Sequence, residues 1–103
     1  MKPLGLSFAA NVAIYLAEQA TGKTEPPSCV RDYGYVRAIA CVLLRETGAS
    51  YPDIAEQIYG KRWLHSTVMG HIEKWRDRPA TRYAMARFVG MLNNERHNTS
   101  QAS

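Results

Sequence analysis

Three consecutive residues with hydrogen-bonding side chains, His65, Ser66 and Thr67, begin an amphipathic segment of the chain. Imidazole and hydroxyl groups in the first turn of a helix can reach the edges of DNA bases, and the positive end of the helix dipole attracts a phosphate. Within residues 64–76, apolar side chains recur at i, i+4 and i+7. We therefore interpret this segment as the second helix of a helix-turn-helix, the helix that enters a DNA major groove.

The two sides of this segment differ in residue type. Val68, Ile72 and Trp75 form the apolar side, which we expect to be buried. The opposite side combines small, polar and basic residues: Thr67, Gly70, His71 and Lys74. Ser66, or the residue before it, is also a candidate helix cap, so capping stays open as an alternative to a DNA contact for the hydroxyl groups. For His71, we expect a place at the surface or at the edge of the core.

The positive charge of the chain is concentrated around the same segment. Thirteen Lys and Arg stand against nine Asp and Glu, which gives a formal charge of +4 and a pI near 9.3. Residues 1–35 are balanced, whereas residues 61–87 hold seven basic and two acidic residues, a net charge of +5. Such a patch suits a phosphate backbone, with Lys61, Arg62 and Lys74 as candidate phosphate contacts. A solvated basic surface remains the alternative.

The supporting helix of the motif is predicted just before this basic stretch. Tyr51–Tyr59 carries Pro52 in its first turn, where the missing N–H costs nothing, and Ser50 is a candidate cap. Gly60 ends the helix. The loop that follows includes Trp63, for which we expect a place in the core as an anchor of the loop.

Three further helices complete the expected fold. The first covers residues 7–20, with Phe8, Val12, Tyr15 and Leu16 at helical spacing, and a Gly and a Pro pair in residues 21–28 end it. The other two cover about residues 36–47 and 80–93. Ile39, Val42 and Leu43 point inward in the former, and Ala84, Phe88 and Met91 form one stripe in the latter.

No segment alternates with the period of two that is typical of strands. The chain is therefore predicted to be one all-α domain, residues 1–103, of about five helices. Its central helix-turn-helix core covers about residues 37–76, and residues 94–103 are expected to be a frayed tail.

The residues give little support for nucleotide binding, metal binding or catalysis. Gly22, Lys23 and Thr24 resemble the end of a phosphate-binding loop, but Ala17 stands where that motif needs its first glycine. The histidines and cysteines have no metal-ligand spacing, and Cys41 lies among apolar residues as a small hydrophobic side chain. We predict no enzyme activity, no nucleotide, no cofactor and no metal. No apolar run is long enough to span a membrane, and the two cysteines indicate a reducing, cytoplasmic compartment.

Residues 37–75 resemble the C-terminal DNA-binding domain (domain IV) of the bacterial chromosomal replication initiator, DnaA. The family pattern is roughly R-x-x-A-x-x-L-x-x-E-x-T-x-x-S-x-x-x-I, followed by D-H-T-T-V. The first part is matched, with a shorter turn, by Arg37, Ala40, Leu43, Glu46, Ser50 and Ile54, and the signature by His65, Ser66, Thr67 and Val68. The resemblance implies a DnaA C-terminal domain-like or Trp-repressor-like fold that binds double-stranded DNA.

The resemblance also implies roles for individual residues. His65, Ser66 and Thr67 match residues that reach bases in the major groove, and Pro52 matches one that touches a thymine methyl group. Arg31 is the residue able to match an arginine that enters the minor groove from a basic loop.

The chain departs from the family pattern within the signature helix. Leu64 stands where the family has an aspartate that can accept from a cytosine amino group. The preceding turn is longer and includes Trp63, Gly70 replaces a second histidine, and Glu73 takes a basic position. The target is therefore not assumed to be the initiator's box. Since no ATPase motif is found, we expect a free-standing version of the DNA-binding domain.

Two classes of function remain open. In the first, the chain reads a short duplex site and regulates replication initiation or transcription, at the nucleoid in the cytoplasm. A transcriptional regulator that dimerises on a palindrome is a variant of this class. In the second, the chain is an adaptor that uses the helix-turn-helix fold to bind a replication initiator or another regulatory protein. Leu64, Glu73 and the single basic residue Arg31 in its loop motivate this second class.

Overall fold

The computed structural model describes the backbone of residues 5–24 and 33–102, and the side chains of residues 5–21 and 34–93. These ranges contain no strand. They form five α-helices and one 3₁₀ turn: α1 (Leu6–Thr24), α2 (Tyr33–Glu46), α3 (Tyr51–Tyr59), the turn Arg62–Leu64, α4 (His65–Trp75) and α5 (Pro79–Ala102). The prediction of an all-α fold with about five helices is confirmed. No helix in the described ranges is both long and apolar enough to cross a membrane.

The central helix of the fold is α2. Every side chain from Ala38 to Leu44 is buried, because α1, α3, α4 and α5 all pack around this helix. A helix that is apolar on all sides belongs at the centre of a helical domain. Cys41 lies in this stretch with a free thiol, and burial raises the pKa of that thiol to about 12. The prediction that Cys41 acts as a small core residue is confirmed.

The buried side of α1 consists mainly of alanines. Ala13 and Ala17 are fully buried where α1 packs against α2 and α5, whereas Phe8 and Tyr15 are more than half exposed. Small side chains let two helices approach closely, so the contact forms along the alanines and not along the largest residues. Of the four residues at helical spacing, Leu16 is buried and Val12 packs partly against the core, whereas Phe8 and Tyr15 lie on the exposed side of the helix.

The ends of the first and last helices differ from the prediction. The first helix continues through Gly22 to Thr24, so the predicted end at residue 20 is wrong. In the last helix, Ala84 and Phe88 are buried as expected, but Met91 is 44% exposed. This helix extends to Ala102, well past the end predicted near residue 93.

Candidate nucleic-acid interface

The helix α3 forms as its sequence predicts, with the expected bounds. The Ser50 hydroxyl accepts a hydrogen bond of 3.2 Å from the Asp53 backbone N–H, and Pro52 lies in the first turn. Gly60 ends the helix at φ 76°, in the left-handed region, and its N–H donates to the Glu56 carbonyl. These local contacts fix where α3 starts and where the chain turns towards α4.

The 3₁₀ turn between α3 and α4 directs three side chains to three sides. With three residues per turn, Arg62, Trp63 and Leu64 diverge by about 120° from one another. Leu64 packs against the core, and Arg62 reaches back to α3. Trp63 therefore points outward and is 70% exposed, so the prediction that it anchors the loop in the core is wrong.

Arg62 forms two ion pairs with the outer side of α3. Its Nη1 lies 2.7 Å from Asp53 Oδ1 and 2.9 Å from Glu56 Oε1. Hydrogen bonds to the two carboxylates raise the pKa of the guanidinium above its usual value. The candidate phosphate contact is thus already engaged with two carboxylates, and one negative charge remains in excess in this group of three side chains.

The first turn of α4 carries the three residues with which the sequence argument began. His65, Ser66 and Thr67 are all exposed. Leu64 occupies the N-cap position and gives no side-chain cap, so the predicted capping by Ser66 or its predecessor does not occur. The first N–H groups of an α-helix have no acceptor within the helix. Hydroxyl, imidazole and backbone donors are therefore presented together at this end of α4.

The two sides of α4 are arranged as predicted. Val68, Ile72 and Trp75 are buried. Opposite them, Thr67, Gly70 and Lys74 are exposed, and their spacing places them along one side of the helix. Gly70 keeps this side flat between a hydroxyl and an ammonium group.

His71 lies at the edge of the core, as expected. Its ring is tilted by 30° against the Tyr59 ring, with the centroids 6.0 Å apart. Burial, and then the positive charge of Lys74, lower the pKa of His71 below its usual value. The imidazole is therefore neutral at pH 7 and adds no positive charge to this surface.

An aromatic contact holds the far end of α4. The Trp75 and Tyr35 rings meet edge to face, with centroids 4.6 Å apart, and the Arg78 guanidinium lies 4.3 Å from the Trp75 centroid. Edge-to-face packing of this kind adds to the energy of burial. The helix is thus fixed to α2 at its C-terminus while its N-terminus faces solvent.

Several cations remain available around α4. Arg62 is engaged in ion pairs with Asp53 and Glu56. The other basic residues of the +5 stretch are exposed: Lys61, Lys74, Arg76, Arg78, Arg82 and Arg87. Lys61 precedes the N-terminus of α4, and Lys74 lies in its last turn. Arg31, the predicted minor-groove residue, lies outside the described residues.

The ion pairs of Arg62 and the exposure of Trp63 are the features that sequence reasoning missed. The spacing of Asp53 and Glu56 was an available signal, because residues three apart on α3 share one side and can meet the same cation. Their common partner, Arg62, follows nine and six residues later, beyond a turn whose direction the sequence does not give, so the pairing itself could not be predicted.

No family model, no curated protein and no solved structure matches this chain.

Proposed function

We propose that this chain binds double-stranded DNA through a helix-turn-helix formed by α3, the Arg62–Leu64 turn and α4, and so regulates replication initiation or transcription. The single observation that carries the proposal is the uncapped first turn of α4, where His65, Ser66 and Thr67 are exposed together. Polar side chains that do not cap their helix can form hydrogen bonds with base edges and phosphates.

Each residue has a role in this proposal that its chemistry supports. His65, Ser66 and Thr67 contact bases in the major groove, while Lys61 and Lys74 contact phosphates on either side. Pro52 packs against a thymine methyl group, as the resemblance to the DnaA domain implies, and Arg31 enters the minor groove on the same ground. The ion pairs of Arg62 favour a role in holding the turn against α3 over a phosphate contact.

The target site differs from the initiator's own box in this proposal. Leu64 packs against the core and carries no acceptor, so it cannot read the cytosine that the family's aspartate can read. Gly70 leaves an open surface where the family has a second histidine. Base readout then depends on His65, Ser66 and Thr67, and a short site with fewer specified positions is expected.

Fluorescence anisotropy with three labelled duplexes tests the proposal: one initiator box, its scrambled version and a random-sequence pool, each at two salt concentrations. We expect binding that weakens as salt rises, because phosphate contacts release counterions. At a preferred site selected from the random-sequence pool, His65→Ala and Thr67→Ala should weaken binding by ~1–3 kcal/mol for each lost base contact, and they should leave non-specific binding largely intact.

Ser7→Ala is the matched control, because it removes an exposed hydroxyl from the first turn of a different helix, α1. This variant should leave both site-specific and non-specific DNA binding unchanged. Absence of binding to all three duplexes at low salt would exclude the proposal.

A second candidate function, a protein-interaction adaptor, is favoured by one specific observation. Arg62 is paired with Asp53 and Glu56, and the apolar side chains of Trp63, in the turn before α4, and Met69, on α4, are exposed. Exposed apolar groups beside paired charges are typical of protein contacts. Recovery of a stoichiometric replication or regulatory protein, together with poor affinity for duplex DNA, would support this function over the first.

A further inference from the structure

Trp63 is the most exposed large apolar side chain that the structure describes, at 70%. Exposure of an indole to water is unfavourable, and tryptophan is the residue most often found to dominate binding energy at interfaces. Trp63 lies in the longer turn before α4 and matches no residue of the family pattern. Trp63 does not belong to the hydrophobic core, so packing of the fold does not explain the position of its ring.

The ring is held in its outward direction by its two neighbours. Leu64 packs into the core, and the two ion pairs of Arg62 fasten the turn to α3. With both neighbours anchored, the 120° spacing of a 3₁₀ turn leaves the solvent as the direction for Trp63. The outward direction of the ring is thus set by the backbone of the turn.

A cation accompanies the ring. Lys61 Nζ lies 5.8 Å from the centre of the Trp63 ring, within the range of a cation–π contact. A flat apolar surface next to an ammonium group is complementary to the sugar–phosphate backbone, since the ring can cover a deoxyribose while the ammonium meets the adjoining phosphate. The first turn of α4, with His65, follows at once along the chain.

We propose that Trp63 is a DNA contact of this chain: its indole packs against the sugar of a duplex backbone beside the first turn of α4, and Lys61 meets the neighbouring phosphate. This inference rests on the proposed DNA-binding function and adds a residue to it. The occupant is the duplex backbone because the exposed ammonium of Lys61 lies beside the ring, where it can meet a phosphate, and the polar first turn of α4 is close along the chain. The ring contact is independent of sequence, so Trp63 contributes to affinity and not to the choice of site.

The test measures affinity and tryptophan emission in the same titrations of the full chain with the initiator-box duplex and the random-sequence pool. Trp75 is buried, so a change of emission on binding reports Trp63. Duplex DNA should quench and shift this emission. Trp63→Ala should weaken binding to both duplexes on the order of tenfold. Trp63→Phe, which keeps a flat ring, should retain most of the affinity and lose the change in emission.

Phe8→Ala is the matched control, because Phe8 is an exposed aromatic residue on α1. Its removal should leave DNA binding unchanged. If the wild-type chain binds DNA while Trp63→Ala binds equally well, this inference is wrong and the proposed function stands. If Trp63→Ala loses only a co-purifying protein, the ring belongs to the adaptor function. If the wild-type chain binds no duplex, both proposals are overturned.

Discussion

Nη1 of Arg62 lies 2.7 Å from Oδ1 of Asp53, and this contact joins the turn before α4 to the first turn of α3. The same nitrogen lies 2.9 Å from Glu56 Oε1, so one cation faces two carboxylates. All three side chains are roughly half exposed, which limits what the pairs contribute to stability. We expect these side chains to affect DNA binding more than stability. Together they carry one excess negative charge beside the proposed interface, and this charge repels a phosphate backbone.

Glu56→Gln is expected to strengthen DNA binding. The amide can still accept a hydrogen bond from Arg62, while the excess negative charge disappears. Removal of one repulsive charge near a phosphate backbone should raise affinity about threefold at low salt, and the gain should vanish at high salt. Anisotropy titrations over a salt series measure both.

Glu18→Gln makes the same change of net charge on the exposed side of α1 and serves as the control. Equal gains from both variants would mean that net charge alone is responsible. An unchanged affinity for Glu56→Gln would place the duplex away from α3.

Two glycines near the interface should respond oppositely to alanine. Gly60 adopts φ 76°, so Gly60→Ala should reduce the free energy of unfolding by about 1 kcal/mol. Gly70 is helical and exposed, with no atom within 4 Å of an added Cβ, so Gly70→Ala should increase the free energy of unfolding by up to about 1 kcal/mol. Urea unfolding followed by circular dichroism compares the two variants. A loss of stability in both would show that Gly70 does not lie in a regular helix.

The parts of the fold that the sequence predicted well depend on local chemistry. The limits of α3 are set by Ser50, Pro52 and Gly60, each within or next to the helix, and its bounds were predicted to the residue. The apolar side of α4 was equally clear, because large side chains recur with the helical period. Such features need no knowledge of the rest of the chain.

The parts that were missed depend on contacts between elements. The buried side of α1 follows from the close approach of two helices along Ala13 and Ala17, and alanines give a weak hydrophobic signal. The residue type of Trp63 predicts a place in the core, but in the structure Leu64 is the residue of the turn that packs against the core, and Trp63 is exposed. The ion pairs of Arg62 likewise depend on where α3 lies in space.

Cys41 should make the fold sensitive to alkaline pH. Burial raises the pKa of its thiol from about 9 to about 12, so the unfolded chain loses this proton first. The stabilisation is complete below pH 9 and is lost as the pH rises towards 12, by up to about 1.4 kcal/mol per pH unit. Cys41→Ala should lower stability at pH 7 and show a shallower decrease above pH 9. Parallel curves for the two proteins in urea unfolding at several pH values would contradict this.

Leu64→Asp introduces the aspartate that the DnaA domain has at the matching position, yet we expect no gain in binding to the initiator box. The Leu64 side chain packs against the core, so a carboxylate there would be partly buried and would not face a base. An aspartate can cap a helix, but capping favours extended backbone, whereas Leu64 has ψ 20°. The variant should therefore lose about 1 kcal/mol of stability.

The stability of Leu64→Asp is measured by urea unfolding, and its box binding is compared with that of the wild-type chain by anisotropy at a fixed salt concentration. Leu64→Asn is the matched control, since it has the same shape without the charge. If Leu64→Asp, and not Leu64→Asn, gained affinity for the box over its scrambled version, residue 64 would reach a base. The turn would then adopt another arrangement on DNA, in which neither Leu64 nor Trp63 keeps the direction found here.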